Sequence, residues 1–408
     1  MRNEALERFL ASKPLYYKEI DYERVHVAYA LLKPHIERPK TIHVVGTNGK
    51  GSTGRIVAHL AYQQGMRNEK LGVKHYSVGH YTSPHILKFN ERIWLDGADV
   101  SDEVLEIAHQ SLFGILGQEM SEALSYFEYT TLLAFIVFEN CDLMVLEAGL
   151  GGEFDATNVC DKELSIITPI GIDHQAFLGD TIEEIAGTKI RSIQKMALLA
   201  PQVYGEVVEV AKEIAEDKKA ELFLCRVGIP AHQEIQDKLV VGRNAHPTEL
   251  KQIAKEKGWG DYLIENTSVA LQALDILDIK YDINDLKTLE LFGRFYALTD
   301  NIRIDVGHNP LAARAIEKAL DEKVVLIYNS LDDKDYAEVL RILKPKVKRV
   351  EIIPIDSQRA TTLEEIEKAL ETVGLEYSYF QNEMNDDENY LVFGSFYVVE
   401  EFLKKRNM

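Results

Sequence analysis

Gly46-Thr47-Asn48-Gly49-Lys50-Gly51-Ser52-Thr53 reads as a phosphate-binding loop, and its surroundings decide the fold. The run before it, Thr41-Ile42-His43-Val44-Val45, predicts a buried strand. The run after it, Arg55-Ile56-Val57-Ala58-His59-Leu60-Ala61, carries apolar positions at helical spacing, with Gly65 as the expected stop. Strand, glycine loop and helix form the context such a loop needs. Glycines let backbone N–H groups face a phosphate, and the helix N-terminus adds favourable partial charge. Lys50 can reach outer phosphates, and Ser52 or Thr53 can hold the magnesium ion that accompanies a nucleoside triphosphate. The loop departs from the common Walker pattern. Val44 stands where that pattern has a glycine, and Gly51 follows Lys50 where it has Ser or Thr.

The 408 residues are enough for two or three domains, each with its own core. The net charge of −20, from 46 basic and 66 acidic residues, argues against nonspecific binding to nucleic acid or to acidic membranes. Anionic substrates would have to meet local basic groups. Cys141, Cys160 and Cys225 lack metal-ligand spacing and read as reduced cytosolic thiols. Met1-Arg2-Asn3-Glu4 lacks the apolar core of a signal peptide. The longest apolar stretch, Leu132 to Phe138, is too short to span a bilayer. The expectation is a soluble cytoplasmic enzyme.

Outward from the loop, apolar runs alternate with helical patterns, which predicts a largely parallel sheet with helices on both faces. Leu143 to Leu146 reads as a strand ending at Glu147, and Leu164 to Thr168 as another ending near Pro169. Thr181 and Glu184 fit a capping box at the start of a helix. A second series begins at Ile302 to Val306, with Pro310 placed to open a helix. It continues through Val324 to Tyr328, Val350 to Ile353 and Tyr390 to Phe393. Leu363 to Thr372 reads as an amphipathic helix capped by Thr362 and Glu365 and stopped by Gly374. The boundary between the two series falls near Leu289 to Thr299. Residues 227–262 are the least readable.

Ligands in parallel sheets bind at the carboxyl ends of strands. Glu147 stands at such an end, before Ala148-Gly149-Leu150-Gly151-Gly152, and a carboxylate beside a phosphate loop is a natural magnesium ligand. Asp173-His174 lies past the next strand, where a histidine could ligate a metal, orient a base or be structural. Lys189, two turns into the helix opened by Thr181, reads on local pattern alone as a surface lysine. His75, His80 and His85 recur every five residues, but no cysteine or carboxylate completes a tetrahedral zinc set. Asp305 to Pro310 forms a polar cluster at a strand end, and Arg294 lies on the expected linker. Either could reach a nucleotide if the domains close over it.

Taken together, the motifs resemble the dihydrofolate synthase/folylpolyglutamate synthase family, the folate branch of the Mur ligase superfamily. The markers run nearly end to end. They are the loop at Gly46, Tyr81-Thr82-Ser83-Pro84-His85, Phe89-Asn90-Glu91-Arg92, Tyr126-Phe127-Glu128, Leu146 to Gly152 and Asp155-Ala156-Thr157-Asn158. Further along come Asp173-His174, Phe177-Leu178-Gly179-Asp180, Gly293-Arg294-Phe295, Asp305 to Pro310, Asp333-Lys334-Asp335 and Gly394-Ser395-Phe396.

The resemblance implies an α/β fold. A P-loop NTPase-like N-terminal domain with a mostly parallel sheet would occupy residues 1–289. A linker, 290–298, would lead to a smaller Rossmann-like domain, 299–408, that closes over ATP and binds glutamate. It implies an acid–amino-acid ligase, forming a carbon–nitrogen bond, that joins L-glutamate to dihydropteroate and extends reduced folates through an acyl phosphate. A folylpolyglutamate synthase alone is the alternative. ATP would be bound by Asn48, Gly49, Lys50, Gly51, Ser52, Thr53, Asn266, Arg294 and Asp305. Ser52, Ser83 and Glu147 would hold one Mg2+. His174 would serve a second with a carbamylated Lys189, and K+ would be a further ion. Lys50, Lys189, His174 and His308 would carry catalysis. The acceptor would meet Tyr22, Glu23, Arg24 and Val25; Ser125, Tyr126, Phe127 and Glu128; and Phe154, Asp155 and Ala156. The family works as a monomer on small molecules, with no nucleic-acid or membrane partner.

Two departures stand out. The family's usual Glu-Lys-Ala-Gly is Thr188-Lys189-Ile190-Arg191 here, and Glu153 replaces its Arg or Lys. A cell-wall Mur ligase would carry a further domain before the loop, and 45 residues are too few for one. A nucleotide-binding relative without ligation is the other class.

Overall fold

The computed structural model describes residues 5–14, 21, 23–72, 74–225 and 247–408. Tyr22 and residues 227–246 lie outside the described residues. Contacts divide the chain into two units, residues 1–245 with 266–286 and residues 246–265 with 287–408.

Among the described residues, the first unit is built on eight strands: β1 (Lys40–Val45), β2 (Val78–Tyr81), β3 (Ile93–Leu95), β4 (Ala98–Asp99), β5 (Leu143–Glu147), β6 (Leu164–Ile167), β7 (Met196–Leu199) and β8 (Glu221–Leu224). Their order is β4-β3-β2-β5-β1-β6-β7-β8. From β2 to β8 every pairing is parallel, whereas β3 and β4 run antiparallel at one edge. The central strands are buried along nearly their whole length, as parallel strands covered by helices must be. Helices Arg24–Leu32, Asp102–Ala123 and Tyr126–Val137 pack into one apolar cluster with Leu146 of β5 and Ile93 of β3. Helices Ile182–Ile190 and Gly205–Lys218 pack into another with Val45, Ile167 and Leu199.

The helix after the phosphate loop runs Lys50–Lys70, straight through Gly65. The expected stop at Gly65 is therefore wrong. Gly65 serves close packing instead, since a Cβ there would lie 2.4 Å from the Tyr76 carbonyl oxygen. The helix ends one turn later, before Gly72 at φ +75°.

The second unit has strands β9 (Tyr296–Ala297), β10 (Ile302–Asp305), β11 (Val324–Tyr328), β12 (Val347–Ile352), β13 (Tyr377–Tyr379) and β14 (Tyr390–Phe393). The order is β13-β12-β11-β14-β10-β9, parallel except for β9. Leu326, Val350 and Leu391 join Ile316, Leu340 and Ile366 of three helices in a single core. The helix starts follow local chemistry. Asn309 caps Pro310–Ala319 with proline in its first turn, and Thr362 and Glu365 form a capping box ahead of a left-handed Gly374. Among the described residues, no helix is long and apolar enough to cross a membrane.

Candidate active site

Strand register brings four chain segments level in the first unit. Val44 pairs with Glu147, Val45 with Ile167, and Tyr81 with Leu146. The phosphate loop, Glu147, the Thr168-Pro169 turn and Thr82-Ser83 thus all leave the sheet at the same edge.

The loop is tied down through its backbone. The Thr47 and Asn48 N–H groups both donate to the Pro169 carbonyl, at 3.0 and 3.1 Å. Gly46, at φ +144°, passes so close to β6 that a Cβ would fall 2.0 Å from Thr168 Oγ1. Gly49, left-handed at φ +85°, is the N-cap of the Lys50–Lys70 helix, whose first turn of N–H groups has no intrahelical acceptor.

Lys50 Nζ donates to the Gly46 and Thr47 carbonyls, each at 3.3 Å, and lies 4.0 Å from Glu147 Oε1. Lys189 Nζ donates to the same Gly46 carbonyl at 3.0 Å. Lys189 is only 4% exposed, which overturns the surface reading. It follows Ile185 by four residues, so it shares the buried helix face, and its stem reaches the loop. Glu147 is buried. Its Oε2 accepts from Thr82 Oγ1 and, at 3.3 Å, from the Ser83 N–H. Ser52 Oγ donates to the Gly49 carbonyl at 3.1 Å and receives Asn266 Nδ2 at 2.8 Å. The Thr53 hydroxyl is buried without a partner. His174 adopts a left-handed backbone at φ +55°, with Nε2 4.0 Å from Asp173 Oδ1.

Among the described residues, no three His, Cys, Asp or Glu side chains could hold a metal by themselves. Ser52, Ser83 and Glu147 offer hard oxygens, which suits a cation completed by phosphate and water. The three histidines do not converge on a zinc set. His75 faces Glu69 and Asp96, His80 is buried with both ring nitrogens unpartnered, and His85 Nδ1 accepts from Arg92 Nε. Burial first, and the Arg92 charge next, push His85 down to about 4.

The expected acceptor segments are also ordered by side chains. Ser125 and Glu128 form a capping box at the Tyr126–Val137 helix, and Arg24 binds Glu128 Oε2 through Nε and Nη2 at 3.0 and 2.8 Å. Val25 is buried beside it and Glu23 exposed. Arg92 lies over the Tyr126 ring, and the Phe127 ring fills the space a Gly149 side chain would need. Phe154 is exposed, whereas Asp155 and Ala156 are buried. Asp155 accepts from the Leu150 N–H at 2.8 Å and from the Thr157 N–H and hydroxyl at 3.0 and 2.5 Å. Burial raises its carboxyl pKa, and these bonds offset part of the rise.

The two unusual positions touch. Glu153 binds Arg191 through their side chains, and the Glu153 N–H donates to the Thr188 carbonyl at 2.9 Å. Gly152 packs so tightly on this helix that a Cβ would lie 2.4 Å from the Lys189 carbonyl oxygen. An acidic residue at 153 and a basic one at 191 therefore compensate one another.

In the second unit, buried Asp305 accepts from the Phe295 N–H, the Tyr262 hydroxyl and the Gly307 N–H at 2.8, 3.0 and 2.7 Å. Burial raises its carboxyl pKa, with the Arg294 charge as the largest opposing influence. Arg294 donates to the Gly293 carbonyl and stacks over Phe396. His308 Nδ1 lies 3.1 Å from the Val306 carbonyl oxygen. Sequence reading assigned no role to Tyr262 or Thr82. Thr82 lay within a quoted motif, while Tyr262 lies in the unreadable stretch with no local signal.

A variant phosphate loop on a mostly parallel sheet, with a second parallel α/β unit, is the architecture of the Mur ligase class. No family model matches the chain. It is 30% identical over 416 residues to the dihydrofolate synthase/folylpolyglutamate synthase of Haemophilus influenzae, covering 89% of this chain and 88% of that one. The crystal structure of Helicobacter pylori folylpolyglutamate synthetase matches with a TM-score of 0.75 at 39% identity, covering 98% of each chain. Escherichia coli FolC in complex with DHPP and ADP matches at 0.77 and 25% identity, covering 98% of this chain and 96% of that one. The chain belongs to the dihydrofolate synthase/folylpolyglutamate synthase family.

Proposed function

We propose that the chain is an ATP-dependent ligase that joins L-glutamate to dihydropteroate and adds further glutamates to reduced folates. The acceptor carboxylate attacks the γ-phosphorus and ADP departs, leaving an acyl phosphate. The glutamate amine then attacks the acyl carbon, loses a proton, and inorganic phosphate leaves as the carbon–nitrogen bond forms. The observation that carries this reading is the meeting of Lys50 and Lys189 on one loop carbonyl beside Glu147. Such a site can bind a polyanion and place a cation against it, which is most of what phosphoryl transfer asks of a protein.

In this reading Asn48 to Thr53 and Asn266 hold the nucleotide, with Arg294 and Asp305 from the second unit. Ser52, Ser83 and Glu147 would hold Mg2+, and carbamylated Lys189 with His174 would hold a second ion. Bound metal supplies charge neutralisation on the transferred phosphoryl group. Arg24, Ser125 to Glu128, and Phe154 to Ala156 orient the acceptor, while His308 serves the glutamate side. The protein works as a monomer, and K+ is an added activator.

The test is ADP release from purified protein. Release should require acceptor, glutamate and magnesium together. Equal turnover without acceptor, or none with either dihydropteroate or tetrahydrofolate, overturns the ligase reading. The same two acceptors distinguish a bifunctional enzyme from a folylpolyglutamate synthase.

A further inference from the structure

Behind the Gly149–Asp155 loop lies a chain of buried polar groups that touches neither the phosphate loop nor Glu147. Lys162 Nζ is 3.4 Å from His43 Nδ1 and also donates to Asn158 Oδ1. His43 Nε2 is 2.8 Å from Thr157 Oγ1, and the Thr157 hydroxyl donates to Asp155 Oδ1 at 2.5 Å. Asn158 Nδ2 in turn donates to the Glu153 carbonyl at 2.7 Å. Lys162 is 1% exposed, and His43 and Thr157 are fully buried.

The direction of these bonds is fixed by elementary donor counting. An ammonium only donates, so His43 Nδ1 must accept. Asp155 ionised only accepts, so the Thr157 hydroxyl must donate to it. His43 must then be neutral with its proton on Nε2, donating to Thr157. Burial first and the Lys162 charge next hold the imidazole well below its ordinary pKa, in keeping with the neutral form. The result is a one-way series running from a buried cation to a buried carboxylate. Its second arm, through Asn158, ends on the same loop at Glu153. One ammonium thus holds the loop at two points, and Asp155 in turn holds the Leu150 N–H.

We infer that Lys162 and His43 are positioning residues for acceptor binding, acting through Thr157, Asp155 and Asn158 to set the shape of the Gly149–Asp155 loop. The inference rests on the reading of that loop as the acceptor side. Neither residue would touch substrate. A carboxylate supplied with donors from a connected network is held more rigidly than one supplied by water, and a broken link leaves buried groups unpaired.

The experiment is steady-state kinetics of the full chain with acceptor and ATP varied separately, paired with nitrogen-15 histidine NMR of the wild type. Lys162→Met and His43→Leu should each raise acceptor KM about tenfold or more, with ATP KM changed less than about twofold (tenfold corresponds to about 1.4 kcal/mol). His43→Gln keeps a donor toward Thr157 and an acceptor toward Lys162, so it should restore most of the affinity. NMR should show His43, identified by its loss in His43→Gln, as the neutral Nε2–H tautomer at pH 7. Equal rises in both KM values, unchanged acceptor KM, or an Nδ1–H or charged His43 would overturn the inference. If Lys162→Met does not fold, the tautomer and the His43→Gln result still decide. A wild-type protein with no acceptor-dependent turnover would instead overturn the proposed function and leave the tautomer to judge the relay.

Discussion

The phosphate loop and the Gly149–Asp155 loop sit at neighbouring strand ends but are built by opposite means. The first is fastened by backbone: two N–H groups on one carbonyl, and a Gly46 with no room for a side chain. The second is fastened largely by buried side chains, Asp155 above all. A backbone-built loop fails when an atom is added, whereas a side-chain-built loop fails when one is removed. The difference also leaves the first-turn amides of the Lys50–Lys70 helix for a ligand and commits the second loop's polar groups largely to itself.

The sharpest way to break the contrast is Gly46→Ala. The new Cβ meets Thr168 at positive φ, so we expect a loss of about 3 kcal/mol or more in urea unfolding, with nucleotide binding abolished. A stable variant would show that the loop has slack. Lys189→Ala should lower turnover about a hundredfold or more, and added acetate should restore part of it by supplying the missing carboxylate. Because Lys189 donates to Gly46 while its carbonyl abuts Gly152, this variant tests whether the loops act jointly. A fully active alanine variant would remove the carbamate from the mechanism. Asp155→Ala should cost about 2 kcal/mol by leaving buried donors unpaired, with ATP affinity kept. Calorimetric titration with ATP checks the second half of that statement.

Much of this contrast was legible in the sequence, but not evenly. The strands around the Gly46 loop and both capping boxes were read correctly because their signals are local. Glu147 was singled out because it ends a strand, and it does end one. Lys189 was misjudged on local pattern because an amphipathic helix does not announce which face is covered; burial of its face is decided by the sheet. Gly65 was misread as a stop because a glycine needed for close approach looks the same as one needed for a turn. The antiparallel strands β3, β4 and β9 were missed because three or fewer residues carry no period. The His43–Lys162 contact joins positions 119 apart, beyond any spacing rule.

Two smaller effects sharpen the comparison. Burial holds the Lys162 pKa down to about 8, against 10.5 in the unfolded chain. After burial, the charges that act on it are those of Cys160, Lys218, Asp155 and Asp161, in falling order of influence, with His43 in contact. Between those two values the unfolded chain holds the extra proton, so Lys162's own contribution to stability improves as pH rises through 8. The relay meanwhile loses its cation. Acceptor KM should therefore climb severalfold above pH 8 without a matching fall in melting temperature, and Lys162→Met should flatten that profile. Reversing the Glu153–Arg191 pair in a double variant should change stability by less than about 1 kcal/mol, because the pair is partly exposed. Either single reversal should weaken acceptor binding more than the double.

The shared carbonyl of Gly46 has a last consequence. Before carbamylation, two lysine ammonium groups bonded to one oxygen are an electrostatic burden on the fold, and turning Lys189 into a carbamate removes it. Replacing Lys189 by methionine should raise the melting temperature of the protein alone while shrinking the extra stability that nucleotide confers. This corner of the molecule is a spring compressed by like charge, and carbamylation of Lys189 is what lets it relax.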